Sequence, residues 1–184
     1  MRIIQARSAF TRNGFAAIPK LLSAEAVGAL RRHYRSLVKS GSMSLGDEQC
    51  ARRYVMHNEP VARHLQQCVT RIMSEVSAKP IKPSYTYSVV YLSGAELPCH
   101  RDRVQCEYSI TICIDFWPDP AQTTSWPINL VTSSGPIAIY QGLGDALFYR
   151  GRILPHFRTP LSSGHTSTSL LLHYVDEALK GPLE

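Results

Sequence analysis

Apolar residues recur along this chain with two different periods. Between Ser23 and Gly41 they fall at Val27, Leu30, Tyr34 and Leu37, one face of a 3.6-residue helix, with Ser23 placed to cap its start and Gly41 to end it. A second helix is predicted from Asn58, where Glu59 and Pro60 open it. Its stripe runs through Leu65, Cys68, Val69, Ile72, Met73 and Val76 until Pro80 and Pro83 stop it. From Pro83 onward the helical period is gone. SYTYSVVYLS, EYSITICIDF, WPINLV, PIAIYQ, DALFYR, ILPHFR and STSLLLHYV are short β-branched or aromatic runs punctuated by Gly, Pro, Asp and Ser. Seven such runs without a helix between them predict a mainly β fold, an antiparallel sandwich or barrel with N-terminal helices packed outside one sheet. The chain reads as one domain over 1–184, with 1–82 as helical support and 83–184 as the β core. No repeat, linker or low-complexity segment divides it.

Composition narrows the class. A chain of 184 residues is long enough to bury a core without covalent staples, and 44% hydrophobic with 18% charged residues is a globular balance. No apolar run approaches the roughly 20 residues that cross a bilayer, so no membrane association is expected. The start, MRIIQARSAFTRNG, is interrupted by Arg7, Arg12 and Asn13 and lacks the apolar core of a secretory signal; a cytoplasmic protein is the default expectation. Cys50, Cys68, Cys99, Cys106 and Cys113 form no CxxC pair and read as reduced thiols. Charge is skewed: residues 1–82 hold 14 Lys and Arg against 5 Asp and Glu, whereas 83–184 hold 6 against 9. RRHYR (31–35) and ARR (51–53) would suit an anionic partner, but no extended basic stripe interleaved with aromatic residues appears. Solvated helix faces are the expectation, and nucleic acid is not an expected partner.

The candidate chemistry lies in GAELPCHRDRVQCEYSITICID (94–115). In an extended segment His100 and Asp102 point to one face, so an imidazole and a carboxylate can share one target. A third ligand is available in GDALFYRGRILPHFRTPLSSGHTSTSLLLHYV (144–175), where His156 follows a strand and turn. Two histidines and one carboxylate on one side of a metal leave three positions open, the arrangement of oxygen-activating Fe(II) sites. His165, in a Ser/Gly turn, and His173, among the leucines of the last strand, are rival third ligands; for His173 a hydrogen-bonded core role is the competing expectation. A zinc site from Cys99, Cys106 and a histidine lacks metal-type spacing.

The residues YLSGAELPCHRDR, with Tyr-x-x-Gly leading into His-x-Asp, resemble the proximal motif of the iron(II)/2-oxoglutarate-dependent oxygenases. GDALFYRGRILPHFRTPLSSGHTSTSLLLHYV resembles their distal motif, and NGFAAIPKLLSAEAV resembles the first segment of the prolyl-hydroxylase and phytanoyl-hydroxylase-like members. The resemblance covers most of the chain. It implies a double-stranded β-helix (jelly roll), Fe(II) held by His100, Asp102 and His156, and 2-oxoglutarate and dioxygen as cosubstrates. It also implies oxidation of a C–H bond in a small-molecule or peptidyl substrate. Members that halogenate lack the acidic ligand, so Asp102 favours hydroxylation or a related oxidation. One departure stands out. The family's last strand carries an Arg or Lys that grips the far carboxylate of 2-oxoglutarate, and here Ser167 and Ser169 occupy that slot, with His165 and Thr166 alongside. A substitute cation is required: Arg158 first, since it shares the strand face of His156, then Arg152, with Arg101 and Arg103 behind, and with Tyr91, Tyr87 and Ser169 as further donors. The segment FWPDPAQTTSWP (116–127), with Trp117 and Trp126, is expected either over the pocket mouth or as a structural hairpin cover. A nucleic-acid oxidative demethylase and a non-enzymatic metal-binding jelly-roll module stay open as alternatives.

Overall fold

The computed structural model describes residues 3–183 and arranges them as α1 (Ile3–Asn13), β1 (Phe15–Ile18), α2 (Ala24–Lys39), β2 (Ser44–Leu45), β3 (Arg53–His57), α3 (Pro60–Ser77), β4 (Ile81–Tyr91), β5 (Leu97–His100), β6 (Tyr108–Trp117), β7 (Ile128–Thr132), β8 (Gly135–Ile139), β9 (Ala146–Tyr149), β10 (His156–Arg158) and β11 (Thr166–Asp176). The helix starts follow from local chemistry. Ser23 Oγ accepts the Ala26 N–H at 3.2 Å, and the Glu59 carboxylate accepts the Ala62 N–H at 2.8 Å ahead of Pro60. α3 ends at Ala78, whose left-handed backbone (φ 58°) turns the chain into β4.

The strands form two sheets, and every pairing is antiparallel. The large sheet runs β1-β9-β6-β11-β4-β3-β2 and the small one β5-β10-β7-β8. The period of two sorts each central strand into an outer and an inner row. Ile110, Ile112 and Ile114 of β6 and Leu170, Leu172 and Tyr174 of β11 are buried in one cluster with Phe10, Leu30, Val69 and Met73 of the helices. That layer covers the outside of the large sheet, and burying it drives the helices onto it. Ser109, Thr111, Leu171 and His173 take the alternate positions and face the small sheet, where a cavity opens.

All seven β runs of the sequence are strands in the structure, and both expected helices are present. The N-terminal region differs from its reading as helical support: α1 precedes Ser23, and β1 and the β2–β3 hairpin complete opposite edges of the large sheet. FAAI and RYVMH are too short to show a period, and their extended state is fixed by pairing with β9 and β4. The charge skew also has a structural outlet. Arg31 and Arg35 of α2 meet Asp115 of β6 at 2.9 and 2.6 Å, and Arg31 reaches Asp119 at 2.5 Å, so opposite charges of the two halves dock the helix on the sheet. Among the described residues no helix is long and apolar enough to cross a membrane.

Candidate metal centre

His100 closes β5 and His156 opens β10, and the two are direct partners across the antiparallel pair. Their rings lie 4.4 Å apart, centroid to centroid. Asp102 sits just beyond β5, its backbone N–H held by the Gly151 carbonyl at 3.0 Å, and its Oδ1 is 3.5 Å from His156 Nε2 and 3.9 Å from His100 Nε2. One donor atom from each of the three lies within 4.8 Å of the others. Tautomers are set from outside the cluster. His100 Nδ1 contacts the Pro98 carbonyl at 2.8 Å and His156 Nδ1 the Leu154 carbonyl at 3.0 Å; a carbonyl only accepts, so each Nδ1 carries the proton and each Nε2 turns a lone pair to the common point. Burial also pulls the His100 imidazole below its ordinary pKa, which favours the neutral, ligating form.

The carboxylate is oriented with equal care. Ser109 donates to Asp102 Oδ2 at 2.6 Å, which leaves Oδ1 for the shared point. Burial alone would raise this carboxyl, but the adjacent His156 and His173 imidazoles, which can carry charge beside it, and the Ser109 hydrogen bond outweigh it and hold it at about 2. Gly151 is the residue this crowding demands, because a Cβ there would land on Asp102 Oδ2 and lie 2.7 Å from Ser109 Oγ. The YRGR turn that the sequence marks between strand and histidine thus has a reason beyond the turn itself.

The cluster opens into a cavity of about 360 Å³ between the sheets. Two buried arginines line it. Arg158, two residues past His156 on β10, reaches away from the cluster; it donates to the Trp126 carbonyl at 2.9 Å and stacks 4.4 Å over the Trp126 ring. No carboxylate among the described residues pairs with it, and burial pulls its guanidinium below the usual range. Arg53 belongs to the ARR run expected on a solvated helix face, but it lies buried on β3, because the hairpin turns it inward onto Asp47. It is fully engaged: Asp47 receives its Nε at 2.9 Å and its Nη2 at 2.6 Å, Gln49 accepts at 3.1 Å, and it lies against the Tyr87 and Tyr91 rings. Asp47 also accepts from Tyr87 at 2.7 Å, which ties the tip of the β2–β3 hairpin to the cavity wall.

The other residues proposed from sequence divide cleanly. Tyr91 lines the cavity, and Ser167 and Ser169 are buried on the inner row of β11; the Ser169 hydroxyl has no hydrogen-bond partner. Arg101 and Arg103 lie at the mouth, where Arg103 donates to Tyr85 at 2.8 Å. Arg152 does not line the cavity; it is exposed in the β9–β10 turn, next to Gly151, which packs against Asp102 and Ser109. His165 is turned to its own loop, with Nδ1 on the Ser163 carbonyl, and stays outside the cavity. His173 is buried and bonded to Ser109 at 3.0 Å. Cys99 is exposed and does not join Cys106. Trp126 is a buried cover behind Arg158, its indole N–H on the Thr159 carbonyl at 2.6 Å, and Trp117 is exposed, so neither lies over the mouth. The exposed residues of the cavity lining, which mark the mouth, are Glu48, Gln49, Arg101 and Arg103.

No protein-family model matches the chain, and no curated protein sequence does. Solved structures do match. SnoN, a non-heme α-ketoglutarate-dependent epimerase from nogalamycin biosynthesis, superposes with a TM-score of 0.79 at 12% identity, over 95% of this chain and 80% of its own. A Pseudomonas putida prolyl-4-hydroxylase gives 0.77 at 12% identity over 96% and 100%. HygX from Streptomyces hygroscopicus, solved with nickel, 2-oxoglutarate and hygromycin B, gives 0.75 at 12% identity over 96% and 88%. The fold is therefore the double-stranded β-helix shared with these solved structures.

Proposed function

We propose that the protein is an Fe(II)/2-oxoglutarate-dependent oxygenase that hydroxylates or otherwise oxidises a C–H bond of a small-molecule or peptidyl substrate. One observation carries the reading: a cluster of two histidines and a carboxylate shares a cavity with a buried, unpaired guanidinium. The donor set fits the metal, since two neutral Nε2 atoms and one carboxylate oxygen on one side leave positions open for a chelating cosubstrate and dioxygen. The arginine fits the cosubstrate, since a buried cation without a partner is costly and a dicarboxylate supplies the missing charge.

In this reading His100, Asp102 and His156 hold the metal. Arg158 takes the far carboxylate of 2-oxoglutarate, two residues along β10 from His156, roughly 6–7 Å of strand. Tyr91 lines the cavity and supplies a further donor, whereas Ser167 and Ser169 are buried on β11 outside its lining. Bound together, Fe(II), 2-oxoglutarate and dioxygen supply the oxidising equivalents for the C–H bond, with succinate and carbon dioxide as coproducts. The chain contributes orientation and water exclusion: Tyr149, Ile128 and Leu171 wall the inner cavity, and the substrate reaches it past Glu48, Gln49, Arg101 and Arg103. Solved structures of this fold include one with the antibiotic hygromycin B and a prolyl-4-hydroxylase, which supports both substrate classes.

Anaerobic calorimetric titration with Fe(II), then 2-oxoglutarate, followed by succinate detection after admission of air, tests this. Metal-dependent 2-oxoglutarate binding and slow succinate formation are expected. Metal binding without 2-oxoglutarate binding would point to a different cosubstrate, and no metal binding would overturn the reading.

A further inference from the structure

Asp102 offers two oxygens, and a metal at the shared point needs Oδ1 presented in one orientation. The hydroxyl of Ser109 has a single proton, and Asp102 Oδ2, an ionised acceptor, takes it at 2.6 Å. The 3.0 Å contact between Ser109 Oγ and His173 Nδ1 must then run the other way, with Nδ1–H donating to the hydroxyl oxygen. Ser109 and His173 are cross-strand partners on β6 and β11, at the centre of the large sheet. His173 is itself held: its carbonyl accepts from Gln66 of α3 at 2.6 Å, and its ring packs 4.7 Å from that of Tyr85. Asp102, by contrast, sits in a connecting segment with no strand of its own.

We infer that Ser109 and His173 are positioning residues for the metal carboxylate: His173 Nδ1–H fixes the direction of the Ser109 hydroxyl, and Ser109 fixes Asp102 with Oδ1 toward the metal. The inference rests on the metal reading above. It also explains why a buried histidine sits in the last strand at the position facing the cluster. Asp102, Cys106 and His173 do form a second group of donors within 4.8 Å of one another, but a second ion there is disfavoured. His173 Nδ1 and Asp102 Oδ2 are both committed to Ser109, and Cys106 is bonded to the Tyr85 hydroxyl at 2.9 Å. Burial moreover pushes the Cys106 thiol up to about 12, far from the thiolate a metal needs.

The experiment is Mn(II) affinity, read from the electron paramagnetic resonance of free Mn(II), with the melting temperature of each metal-free variant recorded beside it. Ser109→Ala and His173→Leu are each expected to weaken Mn(II) about ten- to a hundredfold, the usual cost of losing a partner behind a metal ligand. His173→Asn, whose amide N–H stands where Nδ1–H stood, should restore affinity to within about threefold of wild type, a rescue that a purely structural role would not give. The double variant Ser109→Ala/His173→Leu should bind no more weakly than Ser109→Ala alone, because His173 acts only through Ser109. If His173→Leu does not fold, His173→Gln, which also lacks a donor at the Nδ1 position, takes its place. Unchanged Mn(II) affinity in the single variants, or losses that multiply in the double, would overturn the positioning role while leaving the metal site standing. A wild-type protein that binds no Mn(II) or Fe(II) would instead overturn the metal reading, and this inference with it.

Discussion

The two ends of the cavity each hold a buried arginine, and they could hardly be treated more differently. At the mouth, Arg53 is 3% exposed and surrounded by Asp47, Gln49, Tyr87 and Tyr91. At the inner end, Arg158 is 6% exposed and has one carbonyl and one indole face. Pairing offsets the desolvation cost of Arg53 within the protein itself, and the same pair fastens the β2–β3 hairpin. Arg158 carries an uncompensated cost that the fold retains, and such a cost is reasonable where an anion arrives from outside. A paired arginine thus reads as architecture and an unpaired one as a binding group.

The contrast is broken most forcefully from the mouth. Asp47→Ala leaves Arg53 buried without its anion, and it also removes the acceptor for Tyr87 and for the Gln49 and Cys50 N–H groups. A loss of about 3–5 kcal/mol is expected in chemical denaturation, the cost of orphaning a buried charge. Arg158→Met should show the reverse in the metal-free protein, with stability unchanged or raised. The same variant should weaken 2-oxoglutarate by about 1.5–3 kcal/mol, the scale of charged hydrogen bonds, and leave metal affinity nearly intact. Calorimetry on the iron-loaded protein separates the two; full cosubstrate affinity in Arg158→Met would move the anchor elsewhere.

A pH experiment sharpens the same inner end. Burial depresses His173 from its ordinary 6.5 to about 4. Below 6.5 the unfolded chain takes up a proton at this residue and the folded protein does not. The stabilisation present above pH 6.5 is therefore lost as the pH falls through the window from 6.5 to about 4, at up to about 1.4 kcal/mol per pH unit. His173→Asn should flatten that slope in denaturation curves recorded with a chelator present, and an unchanged slope would assign it to other groups. The smallest effect is expected from Trp126→Phe. It removes the indole N–H bond to Thr159 and weakens the stack under Arg158, for about 1 kcal/mol in stability and a few-fold in 2-oxoglutarate affinity.

Local pattern and motif were enough for much of this molecule. The apolar stripes of α2 and α3, the Ser23 cap and the start of α3 at Pro60 are short-range properties, and they stand in the structure where the pattern places them, except that Cys68 is exposed and Gln66 takes a place on the buried face. Alternation within the seven β runs specifies which row each strand turns to the helices, because the period of two leaves no freedom once one face is buried. His100, Asp102 and His156 were nameable because their spacing relative to strand and turn is local. Only the folded chain brings the three onto one point, through the β5–β10 pairing and the Asp102–Gly151 bond. β1, β2 and β3 were illegible as strands, since they are extended only by virtue of the edges they complete. The state of each arginine was illegible for the same reason. Nothing near Arg53 or Arg158 in sequence says which will be neutralised; Asp47 meets Arg53 across a hairpin, and Trp126 reaches Arg158 from another strand connection. Side-chain type and period are properties of neighbours along the chain, whereas charge compensation, tautomer and burial depend on partners that only tertiary packing supplies. Ser109 and His173 mark that boundary, since 64 residues separate them in sequence and one hydrogen bond joins them in the fold.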